Sequence, residues 1–97
     1  MTRLLGAHVS VAGGLDNAFA RGLESHCTAL QIFTKNANRW QGKPISNDDA
    51  IAFQQAWQKS GIGPVIAHDA YLINLASPKQ DVWEKSKAAL RDELLRC

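Results

Sequence analysis

Three short apolar runs, each followed by a stretch with helical spacing, constrain this chain more than any other feature. Leu4 to Val9 is the first run, interrupted by Gly6. Gly13-Gly14 then turns the chain, and Leu15, Ala18, Phe19, Gly22 and Leu23 take the i, i+3, i+4, i+7, i+8 spacing of one helix face. Ala29 to Phe33 is the second run. A polar loop from Thr34 to Ile45 follows, and then a helix opened by Ser46 with Asp49 three residues on, the spacing of a capping box. Phe53, Ala56, Trp57 and Ser60 form its predicted inner face, and Gly61 ends it. Val65, Ile66 and Ala67 predict a short buried strand; from about Gln80 a helix carries Trp83, Leu90, Leu94 and Cys97 on one stripe. The order is βαβαβα, which implies an α/β fold with a parallel sheet and right-handed crossovers.

Three such units are too few to close a barrel or to cover both faces of a doubly wound sheet. Cys97 also falls in the last turn of an amphipathic helix with no Gly or Asn after it, so the expectation is the beginning of a larger protein. No short repeat, low-complexity tract or Pro/Ser-rich linker interrupts residues 1–97, which read as part of a single domain without an internal boundary. With open sheet edges, the isolated chain is expected to aggregate, oligomerise or fold only in part. The net charge of +2 is too small to imply a polyanionic partner, so any such argument has to be local. Cys27 and Cys97 have neither disulfide-framework nor Cys-x-x-Cys spacing, which favours a reducing compartment. No secretory h-region and no apolar run of about 18 residues is present, so the cytoplasm is the expected location and no membrane partner is expected.

The residues just past each strand are polar: His8 and Ser10, then Thr34, Lys35 and Asn36, then His68 and Asp69. In a parallel α/β architecture such groups converge on the rim where ligands bind. His68 is a candidate metal ligand, a neutral imidazole at a strand end, or else a buried histidine satisfied by Asp69 or by backbone. His8 is a supporting hydrogen-bond donor, a substrate contact or a packed histidine. From Thr34 to Pro44 the loop carries Lys35, Arg39 and Lys43 with no acid, interleaved with Asn36, Asn38, Trp40 and Gln41. That set suits a nucleic-acid surface, and it equally suits a solvated loop whose Trp40 tucks onto a helix. Tyr71 and Leu72 form either a wedge that enters a base stack or a loop anchor. Gly13-Gly14 reads as a tight turn or an anion cradle. Glu24, Glu84 and Glu93 all fall on helices, leaving no strand-end glutamate to bridge metals.

Several motifs in register, Gly6-Ala-His-Val-Ser10 with Ala12-Gly-Gly14, Phe33-Thr-Lys-Asn36 before Trp40, His68-Asp-Ala-Tyr-Leu-Ile-Asn-Leu75 and Glu84-Lys-Ser86, run the length of the chain. On these the chain resembles the N-terminal third of the endonuclease IV family of apurinic/apyrimidinic endonucleases. The resemblance implies the N-terminal βαβαβα portion of a (β/α)8 TIM barrel, incomplete in this chain, in a monomeric full-length enzyme. It implies three Zn2+ ions at the C-terminal rim and base excision repair of double-stranded DNA, with hydrolysis of the phosphodiester 5′ to abasic sites. By position, His68 resembles the first zinc ligand, Tyr71 and Leu72 the residues that enter the duplex, and Asn36 and Trp40 members of a DNA-contacting loop. Arg39 stands directly before Trp40, one place later than the arginine that penetrates DNA in the family. Asp69 and His8 would support the ligand. The remaining ligands would lie beyond Cys97, so the isolated chain is expected to be inactive. Two other readings stay open: part of a metal-dependent sugar isomerase or epimerase barrel, and a non-catalytic DNA-binding module.

Overall fold

The computed structural model describes residues 3–97. Its elements are β1 (Gly6–His8), α1 (Asn17–Glu24), β2 (Ala29–Phe33), α2 (Asn47–Ser60), β3 (Val65–His68) and α3 (Gln80–Arg96). The strands form one parallel sheet in the order β1-β2-β3, with Gly6 opposite Ala29 and His8 opposite Gln31. By its internal contacts the chain divides into two compact units, one within Met1–Ile32 and Ile45–Ile66, the other comprising Phe33–Pro44 and Ala67–Cys97.

In the first unit, alternation along β2 turns Leu30 and Ile32 into a core that they share with Val9, Ala18, Phe19, Cys27 and Ile62. Phe19 meets Phe53 at 4.9 Å between ring centroids and stacks on Trp57 at 6.1 Å. The helix α2 starts where the sequence says it should, because the Ser46 hydroxyl accepts the Asp49 N–H at 3.1 Å. It ends at Gly61, whose φ of 73° is left-handed. The following connector is held at every residue. Trp57 Nε1 donates to the carbonyls of Ile62 (3.0 Å) and Gly63 (2.8 Å), Gly63 N donates to Thr28 O (2.8 Å), and Leu30 N donates to Pro64 O (3.1 Å).

Two expectations fail in this unit. Leu23 is 48% exposed: α1 has only eight residues, the core takes Ala18, Phe19 and Gly22, and Leu23 lies about 100° round the helix from Gly22. The third strand is not buried throughout. Ile66 is 58% exposed, because neighbouring strand residues face opposite ways and only Val65 packs against the core cluster.

The second unit is organised by polar contacts. Ser86, Ala89 and Glu93 are the buried residues of α3, while Trp83, Leu94 and Cys97 of the expected stripe are exposed, Leu94 by 68%. The reason is chemical. Asn74 N donates to Ser86 Oγ at 2.9 Å and Thr34 Oγ1 donates to Glu93 Oε2 at 2.7 Å, so hydrogen bonds and not apolar spacing decide which face turns inward.

Phe19→Ala removes the ring around which the first unit packs and should cost about 3–5 kcal/mol, whereas Ser46→Ala should cost about 1 kcal/mol. Urea titration followed by circular dichroism should find Ser46→Ala folded with a lowered midpoint and Phe19→Ala with little or no folded baseline.

Candidate functional site

His68 closes β3 in the second unit, half-buried. Its Nδ1 lies 2.6 Å from the main-chain carbonyl of Asp69. A carbonyl can only accept, so Nδ1 is the donor here, and in a neutral imidazole so held the lone pair falls on Nε2, the atom that can ligate a metal. Asp69 therefore supplies its acceptor through the backbone, and the residue itself is exposed. The His68 ring meets Phe33 at 4.9 Å and Tyr71 at 5.8 Å, and Phe33 meets Tyr71 at 5.2 Å, with interplanar angles of 65°, 77° and 80°. Such edge-on pairs fix ring orientation as well as bury area. Tyr71 nevertheless remains 66% exposed, and Leu72 beside it is half-buried. The Tyr71 N–H donates to Ala37 O at 2.8 Å, which ties this turn to the Thr34–Pro44 loop.

Within that loop Asn36 Oδ1 accepts the Asn38 N–H at 2.9 Å, a local Asx turn, and Arg39 N donates to Asn36 O at 3.2 Å. Asn36 and Arg39 are exposed, and Trp40 is half-buried with Lys85 Nζ 5.9 Å from its ring. Lys35 departs from its expected part as a surface cation. Its side chain is 2% exposed, and its Nζ donates to Trp40 O at 2.8 Å and pairs with Asp92 at 3.4 Å. Arg96, whose side chain is 6% exposed, binds the same carboxylate at 2.9 Å and reaches Lys43 O at 2.8 Å. Of the three loop cations, only Arg39 and Lys43 face solvent. The hydrogen bond from Arg96, reinforced by Lys35, holds the Asp92 carboxyl below its ordinary value against some desolvation. Partial desolvation, with Glu93 and Asp69 nearby, raises the Cys97 thiol.

The first unit carries His8, exposed, with Gln31 Nε2 2.9 Å from its Nδ1. The loop after it is braced by Arg21, which donates to Ser10 O (2.9 Å) and Ala12 O (2.8 Å). Among the described residues no three His, Cys, Asp or Glu side chains come together as a metal set, and no helix is long and apolar enough to cross a membrane. Sequence reasoning missed Phe33 as the ring between His68 and Tyr71, and it missed Asp92 and Arg96. Their i, i+4 spacing was the one signal on offer, and it indicates an ion pair without indicating the loop it holds.

No protein-family model matches the chain. A curated relative described as "Probable endonuclease 4" from Chloroflexus aggregans is 53% identical over 92 residues, which is 95% of this chain and 32% of the relative. Another of that description from Trichlorobacter lovleyi is 48% identical over 97 residues, covering 100% of this chain and 34% of the relative. The crystal structure of endonuclease IV from Thermus thermophilus matches with a TM-score of 0.86 at 33% identity, over 95% of this chain and 35% of that one. The chain resembles endonuclease IV. It spans about a third of the length of the endonuclease 4 relatives it matches, and its α/β architecture matches the N-terminal part of the endonuclease IV barrel.

Because Asp92 has a lowered folded-state value, its contribution to stability is complete above the ordinary carboxylate range and is lost as pH falls through the folded value. The thermal midpoint of the parent should therefore drop more on acidification from about pH 5 to about pH 2 than that of Asp92→Asn, which has no proton to take up there. Parallel melts of the two proteins across that range check the sign.

Proposed function

We propose that this chain is the N-terminal part of a zinc-dependent DNA-repair endonuclease that hydrolyses the phosphodiester 5′ to abasic sites in duplex DNA. In this reading residues 1–97 belong to one barrel domain of a monomeric cytoplasmic enzyme. One observation carries it: the match to endonuclease 4 relatives extends over 95–100% of the chain at 48–53% identity, and a solved endonuclease IV shares the fold at a TM-score of 0.86. The polar loop and the exposed Tyr71 favour DNA over a sugar substrate.

His68 would hold one zinc through Nε2, oriented by the Asp69 carbonyl and by the edge of Phe33. The other ligands would come from the two thirds of the relatives' length that this chain does not span. When bound, zinc supplies a water of lowered pKa and offsets charge on the phosphate and the leaving 3′ oxygen. Asn36, Arg39 and Trp40 would meet the DNA backbone, while Tyr71 and Leu72 would enter the stack where a base is missing and the unstacking cost is least. His8, held by Gln31, would take a supporting place. The chain alone, with one candidate ligand, would not nick DNA.

In a full-length context His68→Ala should lower zinc content and turnover while leaving the melting temperature near the parent's. Unchanged zinc by elemental analysis with a lowered melting temperature would assign His68 to packing instead. Replacing Tyr71 and Leu72 together by Ala should weaken binding to abasic duplex far more than to undamaged duplex, at constant zinc. Equal losses on both duplexes, or none, would make the pair a loop anchor.

A further inference from the structure

We propose that the last turn of α3 is a clamp that sets the path of the Thr34–Pro44 loop, with Lys35, Asp92 and Arg96 as positioning residues for Asn36, Arg39 and Trp40. The functional half of this rests on the nucleic-acid reading of the loop given above; the conformational half stands on the geometry alone. The loop has no helix or strand of its own, so its carbonyls take side-chain donors, one from within the loop and one from α3. Two cations provide them at its start, middle and end. Arg96 reaches Thr34 O at 3.4 Å and Lys43 O at 2.8 Å, and Lys35 reaches Trp40 O at 2.8 Å. Both converge on Asp92 Oδ2, at 2.9 and 3.4 Å, and both side chains are nearly withdrawn from water. Thr34 is fastened a second time, through its hydroxyl to Glu93.

Between the loop and α3 lies an open cavity of about 380 Å³, lined in part by Trp40, Gln41, Gly42, Lys85, Ala88 and Asp92. Where it does come close, at Gly42, a Cβ would fall 2.7 Å from the Lys35 Cβ and 2.8 Å from an Arg96 guanidinium nitrogen. The planar guanidinium fork suits this use, since its donors hold fixed angles that an ammonium cannot reproduce. Asn36 and Arg39, both exposed, lie between the fastened carbonyls of Thr34 and Trp40. A loop ordered in advance spares the ordering that a partner would otherwise have to drive.

The test has one readout independent of DNA and one dependent on it, both in the full-length protein. Trypsin can cut the loop after Arg39, which is exposed, whereas the Lys35 side chain is buried against Asp92 and the bond after Lys43 precedes Pro44 and resists it. Arg96→Met and Asp92→Ala should speed cleavage after Arg39 about tenfold or more, the loss expected when a charge-assisted hydrogen bond is removed. Cleavage after Arg21 should hold at the parent rate, and Asp92→Glu should restore resistance after Arg39. Should the first two variants unfold, shown by faster cutting at Arg21 as well, Gly42→Ala disturbs the same contact from the loop side and should speed cleavage after Arg39 alone. Parent-rate cleavage after Arg39 in the folded variants overturns the clamp. On abasic duplex the variants should raise KM about tenfold with kcat and zinc content unchanged. Faster loop cleavage with unaltered DNA affinity overturns the positioning role together with the nucleic-acid reading of this loop. Weakened DNA binding at parent-rate cleavage overturns the clamp and leaves that reading intact.

Discussion

Charged groups taken out of water need an anion and several acceptors close by, and in the second unit two such groups, Lys35 and Arg96, share the single carboxylate of Asp92. Much of the local structure follows from that arrangement. The last turn of α3 has to present Asp92 toward the loop, the loop has to bring three carbonyls to the two cations, and the chain at Gly42 has to pass without a side chain. An apolar α3 face would have left Lys35 without these partners. The small and polar inward residues Ser86, Ala89 and Glu93 are the complement of a loop fastened by hydrogen bonds.

Features set by neighbours in sequence were legible, and those set by distant partners were not. The cap at Ser46, the left-handed end at Gly61, the bounds of β2 and the place of His68 at the end of β3 each depend on a few adjacent residues, and each is where the sequence puts it. The face of α3 was misread because apolar spacing ignores a threonine 59 residues away that binds Glu93. Lys35 was misread for a similar reason, since its anion lies 57 residues along the chain. A run of cations without acids suggests a surface only while their partners are invisible. Local composition recorded that no acid stood nearby, and the fold supplied one from elsewhere.

The aromatic trio gives the candidate site a shared support. Phe33 ends β2 and sets its ring against both His68 and Tyr71, so the candidate ligand and the candidate wedge rest on one side chain. Tyr71 also hangs by its own N–H from Ala37. Displacement of the Thr34–Pro44 loop would therefore be felt at the turn that carries Tyr71, through a backbone bond as well as through ring contacts.

The grip of Trp57 on the connector after α2 bears on which lengths of chain this fold can accept. Ile62 to Pro64 is held at each residue, with the carbonyls of Ile62 and Gly63 bound by the indole, Gly63 N given to Thr28 and the Pro64 carbonyl accepting from Leu30. An inserted residue that slid into β3 would shift its register, and one step of register exchanges the two sides of a strand. Ala67 would then point where His68 now does, and the imidazole would face the opposite way. An insertion or deletion in this connector that shifted β3 by one residue would thus turn the imidazole without altering any residue around it.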